Sequence, residues 1–508
     1  MMPPARVRFA PSPTGALHIG GVRTALYNYL LAKKTNGTMI LRIEDTDQTR
    51  YVPGAEEYIL KSLEWVGIKI DEGVAQGGPH APYRQSERKA IYKQYAQKLI
   101  DEGNAYYAFD SEEELEAMRN RLKATGSTHQ QYSATTRMMM DNSLTLSKSE
   151  VAQKLAAGNP YVIRLKVPDS EEIELNDLIR GEVKVHSSQI DDKVLMKSDG
   201  MPTYHLANVV DDYLMQITHV IRGEEWLPSA PLHVLLYRFL GWEKQMPQFA
   251  HLPLLLKPDG NGKLSKRDAD KAGFPLFPLN WTDPNTGELS KGFCESGYLP
   301  DALINFLAFL GWNPGTEQEI FSMHELIDSF TVERIGKAGA RFDILKAQWY
   351  NQQYLKAKPD DELAAYLLAA LPSNSCSKEK AAKICGVLKE RVTFTHDLAT
   401  QARFFFEAPA EYDTQVISKK WNDEAVKVLA AFSDALVTLT TPTAETIKAT
   451  LENVTASLGI GTGKILQALR VAVTGAGSGP DLMRSMEILG NEEVITRIQR
   501  AIASIKKI

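Results

Sequence analysis

The segment from Val7 to Ile43 limits the fold of this chain more than any other. Val7-Arg8-Phe9-Ala10 reads as a short strand, and Pro11 to Gly15 as a turn rich in Pro and Ser. A helix follows, with apolar Val22, Leu26, Tyr29 and Leu30 close to a 3.6-residue period, and Asn36-Gly37 is a stop of the expected kind. Thr38 to Ile43 is apolar apart from its ends and Arg42, as in a strand buried on both faces. Strand, helix, strand in that order opens a doubly wound, Rossmann-type α/β fold.

Further along, the patterns predict helices at Ala55 to Val66 and Ser86 to Glu102, each stopped by glycine. Residues 111–157 are polar and helix-prone, 161–197 are β-rich, and 106–190 read as an insertion into the first domain. That domain resumes near Gly200 and runs to Leu256. A Gly/Asp/Lys loop at 257–270 and an irregular linker at 271–297 follow. From Leu299 onward the pattern is amphipathic helix, with segments such as Asp361–Leu371, Lys378–Lys389 and Asn491–Ile505.

At 508 residues the chain is too long for one core, so three or four domains are expected. The boundaries read as follows: a catalytic domain of 1–105 and 191–256, an α+β insertion of 106–190, a connecting segment of 257–340, and an all-α region of 341–508.

No stretch approaches the about 18 uninterrupted apolar residues of a membrane span. The N-terminus, Met1-Met2-Pro3-Pro4-Ala5-Arg6, runs straight into the first strand and leaves no room for a signal peptide, which points to a cytoplasmic protein. Cys294, Cys376 and Cys385 are too scattered for a disulfide framework, and two thiols without nearby histidines do not make a zinc site. Net charge is −5, yet residues 1–50 carry seven Lys/Arg against three acids, a local +4 that permits a polyanionic partner.

Two segments carry chemistry. The first, Pro11-Ser12-Pro13-Thr14-Gly15-Ala16-Leu17-His18-Ile19-Gly20-Gly21, sits between the first strand and the first helix, where the helix terminus is expected to offer unpaired N–H groups to phosphates. Gly20 and Gly21 allow close backbone approach, and His18 can donate to a phosphate oxygen as charge builds. The second, Lys263-Leu264-Ser265-Lys266-Arg267, places three cations on a glycine-rich loop able to close over a triphosphate. Taken singly, the first is also an ordinary helix start and the second a solvated basic loop.

As a pair they resemble the signatures of class I aminoacyl-tRNA synthetases. Arg8-Phe9-Ala10-Pro11-Ser12-Pro13-Thr14-Gly15 and Arg42-Ile43-Glu44-Asp45-Thr46-Asp47 look like the opening of glutamyl-tRNA synthetases. Pro202 to Asp212, His219 to Trp226, Leu469 to Gly475 and Gly479 to Leu482 extend that resemblance, in order, over nearly the whole chain.

The resemblance implies activation of L-glutamate by ATP with Mg2+ and transfer to a glutamate-accepting tRNA. It places His18, Lys263 and Lys266 in catalysis, and Thr14, His18, Gly20, Gly21, Lys266 and Arg267 around ATP. It places Arg8, Ala10, Ser12, Glu44, Tyr204, Asn208 and Arg222 around glutamate. Two guanidiniums and one acid complement an amino acid with two carboxylates and one ammonium. Tyr204 and Asn208, four apart, share one helix face. Arg222 is expected to tell glutamate from glutamine, since glutaminyl enzymes lack arginine there; otherwise it reads as an ion pair with Glu224 or Glu225.

The resemblance further implies tRNA contacts by 106–190 at the acceptor end and by the helical region at the anticodon, a monomer, and no membrane partner. Some relatives hold zinc through insertion cysteines after an Ala-Tyr segment. Here Asn104-Ala105-Tyr106-Tyr107-Ala108-Phe109-Asp110 has none, so no metal is expected. Two other readings stand beside this one. A short relative that glutamylates a modified anticodon base would lack the helical half, and an inactive RNA-binding paralogue would not retain His18, Gly20, Lys263 and Lys266.

Overall fold

Strands β1 (Arg6–Phe9), β2 (Thr38–Leu41), β3 (Glu72–Gly73), β4 (Ala105–Ala108), β5 (Val162–Leu165), β6 (Glu172–Asp177), β7 (Gly181–His186), β8 (Val194–Met196), β9 (His219–Gly223) and β10 (Gln248–Leu252) build two sheets. The computed structural model describes residues 3–126 and 130–505, so Met1 and Met2 of the expected leaderless N-terminus lie outside them. The main sheet runs β3-β2-β1-β9-β10-β6-β7, parallel except for β7, which returns antiparallel on β6. Helix Ile19–Lys34 connects β1 to β2, the doubly wound opening that the sequence pattern predicts.

That helix ends where Asn36 takes a left-handed φ of 53°. Gly37 is required for a different reason. A Cβ there would lie 1.9 Å from the Ala5 carbonyl oxygen, so only glycine lets the chain pass alongside the strand it is about to join.

The strand pairing divides the inserted region differently from the sequence boundary of 106–190. β4 and β5 form a small antiparallel sheet with β8, which lies beyond residue 190. The β6–β7 hairpin, inside 106–190, instead extends the main sheet, with Phe249 of β10 beside Asp177 of β6. The small sheet packs Tyr106, Ala108, Met118, Tyr132 and Met140 into its own core. Buried Asp192 accepts from Tyr106 Oη (2.6 Å) and Arg137 Nη1 (3.2 Å), so its carboxylate is partnered away from water.

Two expectations of irregular chain need correction. The 257–270 segment is a loop only as far as Ser265: Lys266–Ala272 is a short helix whose start is capped reciprocally by Ser265 and Asp268. The linker at 271–297 contains a small hairpin, Trp281–Thr282 against Leu289–Ser290, whose turn is fastened by Asp283 accepting from the amides of Asn285 and Thr286 (2.8 and 3.1 Å). Conversely, the largely helical pattern expected from Leu299 onward is broken early. Between Phe309 and Asp343 the one α-helix among the described residues is Met323–Ser329, because Gly311, Pro314, Gly315, Gly336 and Gly339 break the pattern.

The chain divides into two compact units, residues 1–295 with 303–344, and residues 296–302 with 345–508. The second is helical, with Val428, Leu429, Phe432, Leu451, Leu469 and Ile498 in its core. Among the described residues no helix is long and apolar enough to cross a membrane.

Replacing Gly37 with Ala forces the β1 edge and the helix end apart. We expect a loss of about 1–3 kcal/mol, read as a lowered urea midpoint of the first unit; an unchanged midpoint would mean that Ala5 yields without cost.

Candidate active site

In the main sheet the strand order reverses at β1, with β2 on one side and β9 on the other, and a crevice opens beyond the carboxyl ends of such strands. A cavity of about 500 Å³ lies there, walled by residues that follow β1 and β9 and by the first helix. Of the residues singled out in the sequence, Arg8, Ala10, Ser12, Thr14, His18, Gly20, Gly21, Glu44, Tyr204, Asn208, Arg222, Lys263 and Lys266 all line it. Arg267 does not; it points to solvent from the first turn of the Lys266 helix.

The helix terminus in this cavity differs from expectation, because its leading amides are not free. Ile19 N–H donates to the Leu276 carbonyl (3.0 Å), Gly20 N–H to His18 Nδ1 (3.0 Å), and Gly21 and Val22 N–H to the His18 carbonyl. The open donor is the histidine itself. With Nδ1 accepting, the imidazole proton of the neutral ring must sit on Nε2. Partial desolvation by the cavity walls, then the charge of Lys263, hold the His18 pKa below its ordinary value; Glu225 opposes this and Arg23 adds to it. A Cβ on Gly20 would lie 2.7 Å from His18 Cε1, so this glycine keeps the histidine in its capping position.

At the other end stands a buried cluster of charges. Arg42, fully buried, donates to Asp212 Oδ1 (2.7 Å) and Glu44 Oε1 (2.8 Å) and lies 3.8 Å from Asp211. Burial works against its charge, but Asp212, Glu44 and Asp211 together raise its pKa above the ordinary value. Arg8 Nε meets Asp212 at 3.1 Å, and Arg88 Nε meets Asp211 at 2.7 Å. Burial also opposes ionisation of Asp212, and the charges of Arg8 and Arg42 outweigh it and depress its pKa. Three guanidiniums thus balance three carboxylates. Asn208 Nδ2 donates to Glu44 Oε1 (3.2 Å), leaving Glu44 Oε2 without a partner among the described residues, as is Arg8 Nη1.

Arg222 stands outside that balance. Its Nε donates to His251 Nε2 (3.0 Å), its Nη1 to Tyr204 Oη (2.8 Å) and its Nη2 to the Trp226 carbonyl (3.4 Å). The ion pair with Glu224 or Glu225 does not form: Glu224 is taken by Arg180 and the Leu254 amide, and Glu225 by Lys263. A buried guanidinium held by neutral groups is poised for a carboxylate from a ligand. Trp226, whose ring lies 4.2 Å from that of Tyr204, closes this side.

The two lysines of the basic segment rest on acids, Lys263 on Glu225 (3.1 Å) and Lys266 on Glu288 of the small hairpin (3.2 Å). These two pairings were not read from the sequence, nor were those of Arg42 with Asp212 and of His251 with Asp177, because each joins residues far apart in the chain. One signal was present: in Glu172 to Asp177 the alternation of Ile173 and Leu175 puts Asp177 in the buried phase, and a buried acid needs a partner.

The family profile for tRNA synthetases class I (E and Q), catalytic domain, matches residues 4–349, and an anticodon binding domain profile matches 361–502. The chain is 64% identical over 506 residues to a glutamate–tRNA ligase of Cytophaga hutchinsonii, covering 99% of this chain and 98% of that one. It is 57% identical to another from Amoebophilus asiaticus, covering 99% of both. A crystal structure of a glutamate tRNA ligase from Elizabethkingia meningosepticum in complex with its amino acid aligns with a TM-score of 0.93 at 50% identity, over 99% of this chain and 100% of that one.

The charges around His18 give a signed test. Replacing Lys263 with Met removes a cation that lowers its pKa, so the titration of His18 followed by NMR should move upward. Glu225→Gln should move it downward; shifts in the opposite directions would show that these residues do not face the imidazole.

Proposed function

The chain belongs to the class I tRNA synthetases of the glutamate and glutamine branch, and from that membership we propose how its residues divide the work. It is an ATP-dependent glutamate–tRNA ligase, activating L-glutamate to the adenylate and transferring it to the terminal adenosine of its tRNA. The observation that carries the assignment is the single cavity joining an unpaired buried cation, Arg222, and a balanced charge cluster to His18 and two lysines at the opposite end.

Glutamate binds with its ammonium on Glu44 Oε2, its side-chain carboxylate on Arg222, and its α-carboxylate beside Arg8 and facing ATP. Ala10 and Ser12 line the main-chain side, while Tyr204 and Asn208 hold Arg222 and Glu44 in place. Glutamine would leave Arg222 buried without an anionic partner, a mismatch of the costly kind.

ATP lies along Thr14, His18, Gly20 and Gly21, with Arg267 brought in only as the basic segment closes. The α-carboxylate attacks the α-phosphate and pyrophosphate leaves. His18 Nε2–H, Lys263 and Lys266 meet the charge that gathers on the phosphates, and no covalent enzyme intermediate is needed. Their pairs with Glu225 and Glu288 are half-exposed and worth about 0–1 kcal/mol each, so a triphosphate displaces them at little cost. A ribose hydroxyl of the tRNA then attacks the acyl carbon of the adenylate, forming the ester as AMP leaves and the hydroxyl gives up its proton.

Magnesium enters with the phosphates of ATP. The acids lining the cavity do not fit a protein-held cage, since Glu44 is engaged by Arg42, Asp47 by Thr49 and Arg50, and Glu225 by Lys263. Zinc has no part: the insertion has no cysteine, and burial raises the Cys385 thiol to about 12, away from the thiolate that zinc requires. The segment 106–190 receives the tRNA acceptor end and 341–508 the anticodon, and the enzyme works as a cytoplasmic monomer.

The test is ATP–pyrophosphate exchange with glutamate or glutamine, with and without tRNA. Exchange should require glutamate and tRNA together, and exchange with glutamine at comparable efficiency would sink the Arg222 assignment. Metal analysis of the purified protein should find less than about 0.1 zinc per chain, where structural zinc would be stoichiometric.

A further inference from the structure

Arg222 is held from behind by two residues that touch no substrate. In the β9–β10 register His251 lies beside Arg222, and in the β10–β6 register Phe249 lies beside Asp177. Arg222 Nε donates to His251 Nε2 at 3.0 Å, and His251 Nδ1 meets Asp177 Oδ2 at 2.6 Å. His251 is fully buried and Asp177 nearly so.

An arginine only donates, so His251 Nε2 must accept, and the ring is neutral with its proton on Nδ1, donating to the carboxylate. The other oxygen, Asp177 Oδ1, is fixed by the amides of Ile179 (2.9 Å) and Arg180 (2.8 Å) in the hairpin turn. Burial lowers the pKa of His251, its bond to Asp177 raises it, and Arg222 lowers it again, the net effect favouring the neutral ring. The Arg222 guanidinium also lies 5.7 Å from the Phe249 ring centre.

We propose that Asp177 and His251 are positioning residues for Arg222, fixing the plane in which its guanidinium meets the ligand's side-chain carboxylate. Discrimination between glutamate and glutamine then depends on a hairpin contributed by the inserted segment. The inference rests on the assignment of Arg222 to that carboxylate.

Asparagine at 177 separates positioning from architecture. Its Oδ1 still accepts from the turn amides and from the His251 amide (3.3 Å), so the hairpin is retained, and Nδ2 is then left facing His251 Nδ1. The imidazole proton must move from Nδ1 to Nε2, where it confronts Arg222 Nε–H, donor against donor. Alanine at 177 loses the turn acceptor but leaves His251 free to keep Nε2 as an acceptor. Stability should therefore fall in the order wild type, Asp177→Asn, Asp177→Ala, while the KM for glutamate should be worst in Asp177→Asn.

The experiment is steady-state aminoacylation by the full-length enzyme and its Asp177→Asn, Asp177→Ala and Arg222→Lys variants, with thermal melting in parallel. We expect Asp177→Asn to raise the KM for glutamate about tenfold or more, the effect of one misaligned charged hydrogen bond, with the KM for ATP within about twofold. Its preference for glutamate over glutamine should fall in step. If Arg222→Lys raises the glutamate KM but Asp177→Asn does not, or does so no more than Asp177→Ala, the positioning role is overturned and the assignment of Arg222 stands. If Arg222→Lys leaves the glutamate KM unchanged, the assignment itself fails and the inference with it.

Discussion

The guanidinium of Arg42 is the contact on which the first unit depends. It is fully buried, and taking a lone cation that far from water would cost several kcal/mol. It is tolerated because Asp212 and Glu44 lie at 2.7 and 2.8 Å, and because Arg8 and Arg88 offset the charge of the acids in turn. These groups come from β1, the end of β2, the segment before helix Lys89–Asp101, and helix Tyr204–Leu214. Removing any one of the six leaves an unbalanced charge in the interior, so the cluster exists only when the sheet is assembled around it. Pocket and fold are therefore one structure at this end of the cavity.

The other end is built on opposite terms. Lys263 and Lys266 sit on half-exposed side chains, each with one acid beside it. Pairs of this kind are weak and screened by salt. The cavity thus joins a rigid, desolvated end suited to holding an amino acid and a loosely tethered cationic end suited to a polyphosphate. On the proposed assignment, the second end meets its ligand by exchanging these exposed pairs for contacts to phosphate.

What could be read from the sequence was whatever is local. The strand, turn and helix around His18 announce themselves within a few dozen residues, and Tyr204 and Asn208 share a helix face by their spacing alone. The capping role of His18 was less visible, since a histidine before Ile-Gly-Gly reads as a ligand donor and not as the acceptor for Gly20 N–H. The β6–β7 hairpin was legible as strands but not as members of the main sheet, because alternation gives a strand its faces and not its neighbour. Asp212 was visible only as part of Asp211-Asp212, and its partners lie more than a hundred residues upstream.

Direct pairing of charges gives the selectivity its physical basis. Around the amino-acid end, three guanidiniums and three carboxylates cancel, and Arg222 adds one cation whose direct partners are all neutral. On the proposed assignment, glutamate brings the side-chain carboxylate that gives Arg222 a direct anionic partner, the buried Asp177 being held off behind neutral His251. Glutamine offers a neutral amide there and leaves Arg222 without a direct anionic partner. The enzyme need not exclude glutamine by shape, which differs little from glutamate. It needs only to keep the guanidinium desolvated and correctly turned, and Asp177 can help through a neutral histidine without supplying a carboxylate close enough to take the ligand's place.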